Sequence, residues 1–232
     1  MTNPYTFSQR KRLERYFRCL TASCLQGTLK NYYVAYEFGL AERLVRKSMI
    51  REVFKHWSIT DAESLKRQIR WLMEDGGRGE YKSRHMHLLA LTETARQRYI
   101  EAIKEENDEK NNGKWDVVAK CLHQLPSGDI RAYGLAWAIL LSRIGKVKRF
   151  LTKEEAWNIQ LEAAGMLQQT YNSWEDFYLA YLCGNHYFAD KPGIHPYVMV
   201  SGMHDLLSES TLLYRKIKWE QPLQPVERAA RQ

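Results

Sequence analysis

Apolar residues recur along this chain at spacings of three and four, the signature of helices that bury one face. Over Phe7–Leu25 the series is Leu13, Tyr16, Phe17, Leu20. Over Ala41–Trp57 it is Val45, Met49, Val53, Trp57. Further on come Leu65, Ile69, Leu72, then Ile159, Ala163, Leu167, then Phe177 and Tyr181. Three helix starts carry capping signals: Thr60-Asp-Ala-Glu63, Thr152-Lys-Glu-Glu155 and the looser Ser173-Trp-Glu-Asp176. In each, a hydroxyl and a carboxylate can serve the orphan amides of the first turn. Gly76-Gly77-Arg78-Gly79, Pro126-Ser-Gly128 and Asp190-Lys-Pro-Gly193 read as breaks, and polar Asn107–Lys114, with Asn111-Asn112-Gly113, as a loop or soft seam. Tyr197–Val200 is the best candidate for a short strand or hairpin.

The expectation is an all-α, irregular multi-helix bundle of eight to ten helices. It forms a single domain over residues 1–220, followed by a flexible tail over 221–232. Its 44% apolar and 27% charged residues fit a globular core rather than a disordered chain. The apolar run Leu135–Leu141 is far short of the roughly 18 residues of a membrane span, so no membrane partner is expected. The first residues show no apolar core of a secretory signal, and the four cysteines, Cys19, Cys24, Cys121 and Cys183, are expected to stay reduced. Together these place the chain in the cytoplasm as an expectation.

The net charge of +8 is unevenly placed. Residues 1–60 carry eleven Lys/Arg against four Asp/Glu, among them Arg10, Lys11, Arg15, Arg18, Arg43, Arg46 and Lys47. Interleaved with Tyr16, Phe17, Tyr32, Tyr33 and Tyr36, this segment suits either a solvated helix face or contact with phosphates or an acidic partner.

One stretch, Ala132–Phe188, carries several blocks in a distinctive order. Arg143 and Gly145 precede Thr152, Glu154, Glu155, Ala156 and Trp157; Ser173, Trp174, Phe177, Tyr181 and Gly184 follow. Upstream stand His56-Trp57, Thr60-Asp61, Ile69-Arg-Trp71-Leu72 and Gly76, and downstream Lys218-Trp219. This arrangement resembles the bacterial family called domain of unknown function 1266, over roughly residues 50–220. The resemblance implies an all-helical intracellular protein of bacterial, enterobacterial-type origin, and implies no reaction. One block departs from it: where the family has W-D-x-G-R, this chain has Tyr133-Gly134-Leu135-Ala136-Trp137, without the Asp and the Arg.

Candidate chemistry is sparse. Glu154, Glu155 and Glu162 invite acid–base work, yet negative charge in a first helical turn is ordinary capping. Trp157 and Trp174 serve either core packing or ligand stacking. Cys121-x-His123, Cys183-x-x-His186 and the weaker His85-x-His87 offer zinc-type ligands at non-standard spacing, so no metal is expected, with Cys183 and His186 the weak candidates. Arg78 and Lys82 beside the glycines keep an anion-binding loop open. Arg143, in a mostly apolar helix, is either a structural guanidinium bonded to carbonyls or a carboxylate such as Glu155, or an anion-binding group in a cleft.

No cofactor is expected. The leading expectation is a non-catalytic protein-interaction module with an unidentified protein partner. One alternative is an enzyme or small-anion-binding protein with a site near Arg143, Glu155, Trp157, Trp174 and His186. The other is nucleic-acid binding through the basic amino-terminal helices.

Overall fold

The computed structural model describes residues 4–24, 47–106, 108–189 and 217–225. Among these are nine α-helices, one 3₁₀ turn and no strand. The helices are α1 (Phe7–Thr21), α2 (Lys47–His56), α3 (Ala62–Glu74), α4 (Arg78–Leu89), α5 (Glu93–Lys104), α6 (Glu109–Cys121), α7 (Arg131–Val147), α8 (Lys153–Thr170) and α9 (Trp174–Tyr187), with the 3₁₀ turn at Ala22–Cys24. The proposed strand near Tyr197–Val200 and the turn at Asp190–Gly193 lie outside the described residues. No helix among the described residues is long and apolar enough to cross a membrane.

The centre of the bundle is α7. It is apolar all round, and every residue from Ala132 to Gly145 is buried, as a helix packed on all sides must be. Helices α1, α3, α8 and α9 surround it. Their inward faces follow the predicted series: Leu13, Tyr16, Phe17 and Leu20; Leu65, Ile69 and Leu72; Ala163 and Leu167, with Ile159 of that series only half-buried; Phe177 and Tyr181. A second, smaller core lies between α9 and the α4–α6 group, around Tyr81, Leu88, Val117, Val118, Cys121 and Tyr187.

Residues 217–225 return to the main core. The Trp219 indole donates to the Tyr171 carbonyl at 2.9 Å, and the Trp174 indole to the Ile217 carbonyl at 3.0 Å. The Tyr5 hydroxyl donates to the Leu223 carbonyl at 3.0 Å. Residues 226–232 of the expected tail are outside the described residues.

Two local expectations are corrected. Asn111-Asn112-Gly113 is not a loop but the first half of α6. Asp108 caps that helix by accepting from Asn111 N at 3.0 Å, and Asn112 Nδ2 donates to the Glu106 carbonyl. Burial of Val117, Val118 and Cys121 outweighs the weak helix propensity of its first turn. At α3 the cap is Asp61 rather than Thr60: Asp61 accepts from Ser64 N at 2.7 Å, and Asp61 N donates in turn to Ser64 Oγ at 3.0 Å. The box at Thr152–Glu155 forms as expected, and Thr6–Gln9 adds another at α1; at α9 only half of one forms, since Ser173 Oγ accepts from Asp176 N at 3.1 Å while the Asp176 carboxylate accepts from Asn172 N at 3.2 Å. Gly76 and Gly77 turn the chain between α3 and α4 at φ 56° and 77°, where a side chain is strained.

Candidate functional site

Three helices each turn one polar face toward a common hollow. From α1 come Arg10 and Glu14, from α7 Arg143 and Lys146, and from α8 Lys153, Trp157 and Gln160. The spacings are i,i+4, i,i+3 and i,i+4,i+7, which put each set on one side of its helix. The hollow has a volume of about 120 Å³. Among the described residues four cationic side chains line it against one carboxylate.

The arrangement is built from the inside out. Arg143 is 2% exposed, and its Nη1 donates to Gln160 Oε1 at 3.3 Å. Gln160 is fixed in turn, because its Nε2 donates to the Ala156 carbonyl at 2.8 Å. A buried amide thus orients a buried guanidinium. At the rim the Arg10 guanidinium lies 5.2 Å over the Trp157 ring and its Nε is 3.6 Å from Glu14 Oε1. Tyr5 and Phe17 pack edge-on against Trp157, each at 5.5 Å. The Trp157 indole N–H is buried without an acceptor, an uncommon state for such a donor.

Beside the same end of α7 lies a second hollow of about 280 Å³, lined by Arg51, Phe54, Lys55, Ile59 and Lys148. Arg51 and Lys55 stand one turn apart on α2, and all three cations are exposed. The α7 helix stops sharply here. Arg149 takes φ 61°, and Phe150 N closes onto the Gly145 carbonyl at 2.9 Å.

A larger hollow of about 600 Å³ opens among α4, α5 and α6. Its Arg84 and Glu80 are already matched. Arg84 donates to Glu80 at 2.9 Å and to Asn111 Oδ1 at 2.8 Å, and lies 4.8 Å over the Trp115 ring. Lys114 closes on both Glu80 oxygens at 2.9 Å. Burial pushes the Glu80 carboxyl up, but these bonds outweigh it and hold it below the usual carboxylate range.

The five sequence-selected residues do not share one site. Arg143 and Trp157 line the α1–α7–α8 hollow; Glu155, Trp174 and His186 do not. Glu155 sits on the outside, where it bonds Thr152 N at 2.7 Å and Lys66 Nζ at 3.0 Å. The Thr152 amide, then the Lys66 ammonium, hold its carboxyl down at about 2. Glu154 and Glu162 are exposed. Trp174 is buried in the main core, and His186 is half-buried in the last turn of α9.

Of the basic surface, Lys11 is exposed and Arg15 half-buried, while Arg18 is only 9% exposed and so faces inward. Arg43 and Arg46, with the Lys47 side chain, lie outside the described residues, as do Tyr32, Tyr33 and Tyr36.

Arg78 is committed elsewhere: its Nε donates to both oxygens of Asp129, at 2.9 and 2.8 Å. Among the described residues no three His, Cys, Asp or Glu side chains come together as a metal site. His85 Nε2 pairs with the Leu122 carbonyl at 2.9 Å, and His87 packs on Tyr99 at 4.6 Å. All four cysteines are buried. Burial pushes the Cys19 thiol up to about 12 and raises Cys24 and Cys183 as well.

Sequence reasoning found Arg143 and Trp157 from their block. It could not find their convergence with Arg10, Lys146 and Lys153, which only the packing of three helices creates. No curated protein and no solved structure matches the chain. A match does exist over residues 53–219, to the family described as "Protein of unknown function (DUF1266)". It spans every helix from α3 to α9, Arg143 and Trp157 included, and leaves α1 outside; the chain belongs to this family.

Proposed function

We propose that this protein is a non-catalytic binding module of the bacterial cytoplasm that recognises an anionic group on its partner, seated in the hollow between α1, α7 and α8. The observation that carries the reading is Arg143, a guanidinium 2% exposed and oriented by Gln160 at the wall of a cavity that also holds Arg10, Lys146 and Lys153. An arginine fork suits phosphate and carboxylate better than any other side chain. The volume of about 120 Å³ equals the space of roughly four liquid waters. That suits a single oxyanion group, with the rest of the ligand outside.

The role is binding because Glu14, the one carboxylate among the described lining residues, lies against Arg10 and opposes an incoming anion. Calorimetric titration of inorganic phosphate, with sulfate as a second probe, tests this. Arg143→Met or Lys146→Met should weaken binding by about 10- to 100-fold, the scale of a hydrogen bond to a charged group. Glu14→Gln should strengthen it. Absence of phosphate binding to the unaltered protein at millimolar concentration, or affinities unmoved by all three substitutions, would reject the proposal.

A further inference from the structure

We infer that the two cation-lined hollows beside the end of α7 form one track for a single polynucleotide strand. One phosphate seats among Arg10, Arg143, Lys146 and Lys153; the strand then crosses the last turn of α7 to further phosphates at Arg51, Lys55 and Lys148. This extends the oxyanion reading above and rests on it.

The connection between the hollows is the end of α7 itself. Lys146 lines the first and Lys148 the second. Two residues of helix turn by about 200°, so the two lysines leave α7 on opposite sides. The separation is therefore about one helix diameter, roughly 10–12 Å with side chains. A single phosphate cannot bridge that gap. A strand can, because its charges recur about every 3.4 Å when its bases are stacked. The turn it would cross is cationic too, since Arg149 is exposed where α7 stops.

The second hollow strengthens the case through its composition. Arg51, Lys55 and Lys148 converge there, and among the described lining residues there is no carboxylate. Among the described residues none of the three is ion-paired. Like charges gathered without a counter-charge repel one another, and a polyanion removes that repulsion. Phe54 and Ile59 supply an apolar wall beside them for the uncharged sugar of a nucleotide.

An acidic peptide fits less well. Its charges are planar carboxylates on flexible side chains, whereas the first hollow is a recessed, oxyanion-sized seat reached by charge carried on a backbone. Two-thirds or so of protein–nucleic acid hydrogen bonds go to phosphate and sugar in just this manner, and no base-reading group is needed. The strand is therefore held without sequence preference.

The test is fluorescence anisotropy of the full-length protein with labelled oligothymidylates of about 4 to 16 nucleotides, the usual span of single-strand sites. Affinity should rise with length and then level off. The plot of log affinity against log salt should have a slope of about −3 if four phosphates are neutralised, at about 0.7 each. Replacing Lys55 and Lys148 together by Gln should reduce that slope by about 1.4, and both are exposed, so the variant folds. Three results would overturn the inference: an affinity independent of length, a slope unchanged in the double variant, or equal competition by polyglutamate of the same charge. Titration of inorganic phosphate into the unaltered protein separates the two readings. Phosphate binding without strand binding rejects the track alone, whereas absence of both rejects the oxyanion seat as well.

Discussion

Gly134 of α7 and Gly76 of the α3–α4 turn meet backbone against backbone. A Cβ added at Gly134 would lie 3.5 Å from Gly76 Cα and 2.6 Å from the Leu72 carbonyl oxygen. That oxygen belongs to a helix and has nowhere to go. Gly134→Ala should therefore destabilise the protein by about 1–3 kcal/mol, the usual scale of overpacking, read from the midpoint of urea unfolding. By the same contact, an aspartate at position 134 would need α3 and α7 further apart than they are. A Gly134→Asp variant as stable as the unaltered protein would show that the two helices can separate.

At the start of α8, Glu155 supplies an acid-sensitive contribution to stability. Folded, its carboxyl titrates at about 2, against an ordinary 4.5. A depressed folded value means that the stabilisation is complete above about pH 4.5 and is lost as pH falls toward 2. Glu155→Gln removes this titration but keeps an acceptor for the Thr152 amide. Its melting temperature should fall less steeply than that of the unaltered protein between those two pH values. Parallel curves would refute the assignment.

Gln168 ties the two ends of the chain to the core. Its Nε2 reaches the Tyr16 hydroxyl at 3.1 Å, the Trp219 carbonyl at 2.9 Å and the Gln221 carbonyl at 3.0 Å. Gln168→Leu preserves the bulk and strips these acceptors of their donor. The expected cost is about 1–3 kcal/mol, that of leaving buried polar groups unsatisfied, measured by thermal or denaturant unfolding. A neutral result would mean that water replaces the amide.

How much of this was legible beforehand follows from where each signal resides. Faces set by local spacing, such as Leu13–Leu20 or Leu65–Leu72, read directly from the chain, because a helix folds its own periodicity into one side. The start of α6 did not, since its first half is polar and its reason to be helical, the burial of Val117, Val118 and Cys121, lies in partners far along the sequence. At α3 two adjacent residues could both cap, and the carboxylate of Asp61 prevailed while the Thr60 hydroxyl donates to it at 3.1 Å. For the site, Arg143 was conspicuous as a charge inside an apolar helix. Glu155 was conspicuous for the wrong reason: its charge serves the helix end and Lys66. Arg10 was visible only as one of many basic residues, and nothing local distinguishes it from Lys11, which points to solvent.

The sealing of every cysteine inside the fold turns the chain into its own reporter of opening. Cys19, Cys121 and Cys183 have no solvent exposure and Cys24 only 8%, so a thiol reagent must wait for part of the bundle to come apart. The amino-terminal pair and the pair between α6 and α9 sit in different cores. Labelling at Cys19 and Cys24 ahead of Cys121 and Cys183 would therefore reveal that the helix outside the family match detaches before the rest, and simultaneous labelling that the whole molecule opens as one unit.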